Sequence, residues 1–535
     1  MRKRIGQKLL AFALAAACVT GCATPGSSST ATTAAAGTTA GGKSQAGETT
    51  AQTDAGDGKV TITYAQASDI AGLDPRNGTS TVTAAMLSQV YSSLVKTDED
   101  FNIVCDAAES YEVVDDTTYK FTLKQGIKFH DGTELTSEDV KYTLDTIREE
   151  GAAYKLKSDF SFMYCEPIDD YNLYIKTDEP NASTLLRLNY IKIIPKHYVE
   201  EVGDEEFNIH PIGSGPYKVV EWKKDESITL EAFDDYFGGK PQADTVICKV
   251  IPEASARIAA LEAGEVDLIA AVTTSQIDRL KNLSNIEVVS KPTTRTAYFT
   301  MNSLGDSAVT DVRVRKAINM AIDRETIVQG VLDGYGQAVN SLALPIFEYY
   351  DPDVKGYEYD PEGAKALLAE AGYADGLDLE LEGSFSGLSN ASDVAQAVAA
   401  QLAEVGINVT VVEKDSDTIR DEYQAKTTSP LTFFSFGGPY NNINLIYKCV
   451  LGTGERYSAW DDPEFMTLLN AIDTTIDPDK RQENYTAIQQ YAIDQAAVVP
   501  LYQTYSICAY NKDKISKWIP RTDEMLTVSN AEVVK

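Results

Sequence analysis

Histidine is nearly missing from this chain, with His130, His197 and His210 the only three in 535 residues. None stands four residues from another or beside a cysteine cluster, so no side-chain metal centre is expected, and no cofactor. A metal held inside a small chelate stays open, because the protein would then bind the chelator. Cysteine is sparse too: beyond Cys18 and Cys22 there are only Cys105, Cys165, Cys248, Cys449 and Cys508, with no CxxC. That excludes a zinc ribbon and a dense disulfide framework, leaves one or two bridges open, and suits small buried apolar residues. Positive charge is short by a wide margin, the formal net charge being −33. So acidic a surface repels nucleic acid and anionic lipid, and argues against either as a partner. No Gly-x-Ser-x-Gly elbow, Walker loop or Rossmann fingerprint occurs. Ser93-Leu-Val-Lys96 fits the Ser-x-x-Lys pattern of exported hydrolases, yet it has no Lys-Thr-Gly or Ser-Asp-Asn companion. No catalytic residue is therefore assigned, and an enzyme is the weakest reading.

What is present begins with an export pattern. Arg2, Lys3, Arg4 and Lys8 precede an apolar stretch from Leu9 to Val19 that ends in Val19-Thr20-Gly21-Cys22. That stretch is too short to span a bilayer, which takes ~20 residues. A Cys after a small residue resembles a bacterial lipobox, which implies residues 1–22 as a lipoprotein signal, lipidation at Cys22 and anchoring to the cell membrane. Residues 23–57 are mostly Ala, Thr, Ser, Gly and Gln and hold no aromatic, too little apolar surface to offset the entropy of ordering. They are read as a disordered tether of ~30–35 Å mean reach.

The remaining chain is too long for one hydrophobic core, so two or more lobes are expected. It alternates short strand patterns with amphipathic helices, an α/β pattern with mixed sheets. Strands are expected at Lys59–Tyr64 and Tyr119–Leu123. Thr136-Ser-Glu-Asp139 reads as a helix start. A helix is expected to begin near Asp311, with Val314, Ala317, Ile318, Ala321 and Ile322 on one face. Another should run from an Asp360 cap and Pro361 to Gly372.

Taken in order, Tyr119–Leu144 (YKFTLKQGIKFHDGTELTSEDVKYTL), Gly213–Tyr217 (GSGPY), Asp234–Ile269, Asp311–Gly336 and Tyr359–Tyr373 resemble the family 5 extracellular solute-binding proteins, the peptide and nickel group that serves ABC importers. The resemblance implies a two-lobed periplasmic-binding-protein-like fold with a hinge and a ligand cleft between lobes. Lobe one would take residues 58–292 and a return over 499–535, and lobe two residues 293–498. It further implies a monomer that hands a small-molecule or peptide ligand to an ABC permease. Thr296, Tyr298 and Thr300 alternate with Ala297, Phe299 and Met301, as a connecting strand should. An oligosaccharide-binding member, or a sensor without transport, is the alternative.

In peptide-binding relatives an Asp in lobe two meets the ligand amine. The matching stretch here, Phe433–Asn444, has no acid, and the Arg that some relatives place in the loop at Gly383–Asn390 is missing, leaving Ser386. A dipeptide zwitterion is therefore disfavoured, since a buried ammonium needs a carboxylate. Aromatic and amide groups replace the charges: Phe436, Tyr440, Asn441 and Asn442, with Tyr457 and Trp460 downstream, suited to a sugar or a peptide backbone. Arg295 is the candidate for an anionic ligand group, with an exposed charge or a lobe-bridging salt bridge as its other readings, and Asp69 the candidate from lobe one.

Overall fold

The computed structural model describes residues 59–98, 101–149, 151–385, 388–438 and 442–534. Two long antiparallel strands, Ile286–Met301 and Val498–Asn511, lie at the middle of an 11-stranded mixed sheet. On one side follow Leu431–Phe436, Leu377–Gly383 and Ile407–Glu413. On the other come Leu268–Ile269, Thr61–Gln66, Thr245–Val250, Ser227–Ala232 and Tyr217–Lys223, and the short Gly336–Ala338 pairs with Val498–Asn511 off this path. At ~3.3 Å per residue the first long strand covers ~50 Å, enough to serve two cores.

The cores divide along those strands. Toward the chain end of the first strand, Phe299 packs with Val314, Ile318, Val398 and Val499, while Tyr298 on its other face joins Ile446, Trp460 and Phe465. Both faces are covered, so the alternating pattern at 296–301 is buried throughout. Toward the other end, Cys508 and Tyr510 pack with Tyr64, Val90 and Leu230. Between the two regions the strands turn polar while staying buried: Thr293, Thr294, Thr296 and Gln503 are each at most 2% exposed. Gln503 and Thr293 bond across the pair, Gln503 Nε2 donating to Thr293 O at 2.6 Å and Thr293 Oγ1 to Thr504 O at 3.0 Å, while the Thr296 hydroxyl is buried without a partner.

The expected elements form. The helix Ser137–Arg148 starts at Thr136, whose N–H donates to Asp139 at 2.9 Å. Val312–Met320 is capped by Asp311, and Ala321 is the C-cap with Ile322 beyond it, although both pack in the same core. Asp360 caps Pro361–Glu370, accepting from Gly363 N at 2.9 Å. The five described cysteines are all free, and three of them are buried.

Two of the sequence blocks turn out to be one joint. Gly215 N donates to Val90 O at 2.9 Å, and His130 N to Gly213 O at 2.8 Å. The His130 ring accepts from Gly213 N through Nδ1 at 3.2 Å and meets Gly215 O through Nε2 at 3.1 Å, so Nε2 carries the proton. Burial pulls the His130 pKa down to about 4. The folded state therefore binds this proton less readily than the unfolded chain. Its contribution is present above ~6.5 and is lost as pH falls toward about 4. Between pH 7 and 5 urea unfolding should show wild type losing about 2 kcal/mol more than His130→Gln. Equal losses would contradict the neutral ring.

Candidate functional site

Where the strands cross, the register jumps between the pairs Pro292–Tyr505 and Thr296–Gln503. The extra residues Thr293–Arg295 leave the ladder, and such a bulge re-aims a side chain. Arg295 is the residue re-aimed. Its Nε and Nη2 meet Glu524 at 3.0 and 2.9 Å, and Nη1 reaches Ser435 Oγ at 3.4 Å. The charge of Glu524 holds the guanidinium pKa above its ordinary value. Neighbouring backbone is locked to both sides: Thr294 N donates to Thr522 O at 2.9 Å, and Thr294 Oγ1 to Gly438 O at 3.0 Å. Gly437 lies so close to Arg295 that a Cβ there would sit 2.5 Å from the Arg295 Cβ.

Arg295 and Leu388 border two cavities. One, about 290 Å³, has Ser384, Ser416, Arg420, Phe434, Ser435 and Tyr457 among its walls. The other, about 360 Å³, has Ala271, Thr274, Tyr335, Tyr502, Tyr505 and Glu524. Together they take walls from both cores and from the returning C-terminal segment. The Tyr502 hydroxyl is buried without a hydrogen-bond partner. The strand ending at Gly383 is fixed beneath the first cavity by Glu382, fully buried, which accepts from Ser429 N at 2.8 Å and Thr432 Oγ1 at 3.1 Å and pairs with Lys414. Burial pushes the Glu382 pKa up, but Lys414 and the Ser429 donors outweigh it and hold it below the usual range.

The structure gathers only part of the expected set. Arg295 borders both cavities and Tyr457 the first, with Phe436 half-buried against Tyr457 at 6.4 Å between ring centres. The salt-bridge reading of Arg295 is the one the side chain shows, its partner being Glu524. Asp69 is not among these walls: its carboxylate accepts from Trp222 Nε1 at 3.1 Å and Asp225 N at 2.7 Å, fastening a hairpin turn. Trp460 is not among them either, being 6% exposed and packed on Phe465 in the core. Asn442 caps the helix Ile443–Leu451, accepting from Leu445 N at 2.8 Å, and borders a separate cavity of about 490 Å³. Ser386, Tyr440 and Asn441 lie outside the described residues, as does Cys22.

The Ser-x-x-Lys pattern does not bring its own pair together. Lys96 pairs with Asp106 at 3.0 Å, while Ser93, fully buried, donates to Asn189 O. Reasoning from sequence missed Glu524 and the serines Ser384, Ser416 and Ser435. Nothing local marks them: the serines meet through the pairing of neighbouring strands and the loop before Ser416, and Glu524 arrives only with the returning C-terminal segment.

Comparison with known proteins agrees with this architecture. The family described as bacterial extracellular solute-binding proteins, family 5 Middle, matches residues 102–455. The dipeptide-binding protein of Escherichia coli (strain K12) is 29% identical over 475 residues, covering 82% of this chain and 88% of its own length. The ABC transporter substrate-binding protein CtaP of Listeria monocytogenes superposes with a TM-score of 0.82 at 24% identity, over 89% of this chain and 100% of that one. The oligopeptide-binding protein AppA of Bacillus subtilis, solved with a nonapeptide, gives 0.73 at 26% identity, over 89% and 100%.

Proposed function

The chain belongs to the bacterial extracellular solute-binding proteins, family 5, and from that premise we propose that it captures a short peptide beside Arg295 and presents it to an ABC permease. The observation that carries the reading is the pair of polar cavities meeting at a buried-strand crossing, with an ion pair between them. Pockets of this size with a few convergent polar groups suit small ligands. The relatives that bind a dipeptide and a nonapeptide support a peptide as the occupant.

In this reading residues 58–292 and 499–535 form lobe one and residues 293–498 lobe two. They close on the ligand about the crossing at Thr293–Arg295, and the permease reads the closed form. The division of the apolar cores on either side of Thr293–Arg295 supports the first crossing, while on the returning strand Val499, Leu501 and Tyr502 still pack in the core of lobe two. No helix among the described residues is long and apolar enough to cross a membrane. The membrane link is assigned to a lipid on Cys22, with 23–57 as the tether. The protein acts as a monomeric carrier without catalysis.

A thermal-shift screen of the purified protein against peptides, oligosaccharides and metal chelates tests this. At about a hundred times its dissociation constant a peptide adds ~2.7 kcal/mol, raising the midpoint by roughly 2 °C for a chain of this size. Shifts from sugars or chelates alone, with none from peptides, would overturn the peptide reading.

A further inference from the structure

The two cavities differ in charge. Around the first, the charged walls are Arg295 and Arg420 and no acid takes part; around the second, Glu524 stands with Arg295 as the one acid. Arg420 pairs with Asp417 at 2.7 Å, but Asp417 is not among those walls. Of the five N–H groups on Arg295, Nε and Nη2 serve Glu524 and Nη1 a long contact to Ser435, so donors remain for an incoming anion. Ser384 and Ser416, bonded to each other at 2.8 Å, add hydroxyls to that side. On the other side Glu524 keeps carboxylate lone pairs beyond those given to Arg295.

We infer, resting on the peptide reading above, that Arg295 and Glu524 are the charged anchors of a zwitterionic ligand, a short peptide with both termini free. Arg295 and Arg420 take the carboxylate in the first cavity, and Glu524 takes the ammonium in the second. The Arg295–Glu524 pair, each side chain about a quarter exposed, then becomes the centre of a four-charge row of alternating sign. Such a row compensates every charge that lobe closure removes from water, which an isolated ammonium in this cleft would not achieve. This supplies the carboxylate that Phe433–Asn444 lacks.

The test uses a random tripeptide mixture, free, N-acetylated or C-amidated, read by thermal shift and calorimetry on wild type, Glu524→Gln and Arg420→Gln. Wild type should bind the free mixture at least tenfold more tightly than either blocked form. Glu524→Gln should bind free and acetylated mixtures alike. Arg420→Gln, a change at a partly exposed side chain that leaves the ion pair intact, should lose most of the preference against the amidated form. Wild type binding free and acetylated mixtures equally would overturn the inference while leaving the peptide reading in place. So would a preference for the free amine that survives in Glu524→Gln. If no tripeptide form binds wild type, the peptide reading fails and this inference with it.

Discussion

Alanine at Gly213 should cost the fold about 3 kcal/mol or more, a loss at the upper end of what overpacking inflicts. The cause is space. A Cβ on Gly213 would stand 2.0 Å from Val90 O, and one on Gly215 2.5 Å from Val90 C, so backbone meets backbone with no flexible side chain to give way. The same residues hold both nitrogens of the His130 ring, so a shift that relieves the clash also breaks those bonds. Gly305→Ala is the control, since nothing lies within 4 Å of a Cβ there. Unfolding midpoints of the two variants in one buffer check the claim. Gly213→Ala matching Gly305→Ala would show that the joint yields more easily than its geometry implies.

Lys414→Met should destabilise by about 3–5 kcal/mol, because it leaves Glu382 buried and charged without its cation. The serine and threonine donors remain, but they do not balance a full charge. Adding Glu382→Gln to Lys414→Met should return much of the loss, the buried group then being neutral. Equilibrium unfolding of the two single variants and the double variant gives the coupling. If the double variant is no more stable than Lys414→Met, the damage lies in packing of the lysine stem. Because Glu382 joins Gly383 and the strand leading to Ser435, the single variant should weaken ligand binding as well.

Much of the fold was legible because it is written locally. The Asp360 cap with Pro361, the Thr136–Asp139 start and the alternation at 296–301 each depend on residues a few positions apart. Of the candidate residues, Arg295 and Tyr457 border the cavities at the crossing. An aromatic ring next to a polar loop reads the same in sequence whether it faces a ligand or, as Trp460 does, packs on Phe465. A cap and a ligand amide have the same chemistry too, and Asn442 both caps a helix and borders a separate cavity. Asp69 follows a strand as a cleft residue would, yet a hairpin from 153 positions further on claims its carboxylate. Glu524 escaped notice for the converse reason, since its partner Arg295 lies 229 positions away and only the returning segment brings them together.

Hydrogen–deuterium exchange, with and without the tripeptide mixture, addresses the cleft most directly. Peptide should slow exchange in segments around 270–274 and 502–507 and, in the same experiment, around 416–420 and 433–438, because the ligand touches both cavities and closes them. Protection confined to one of these two groups, or found instead around 346–349 and 481–485 at the separate cavity, would contradict capture beside Arg295.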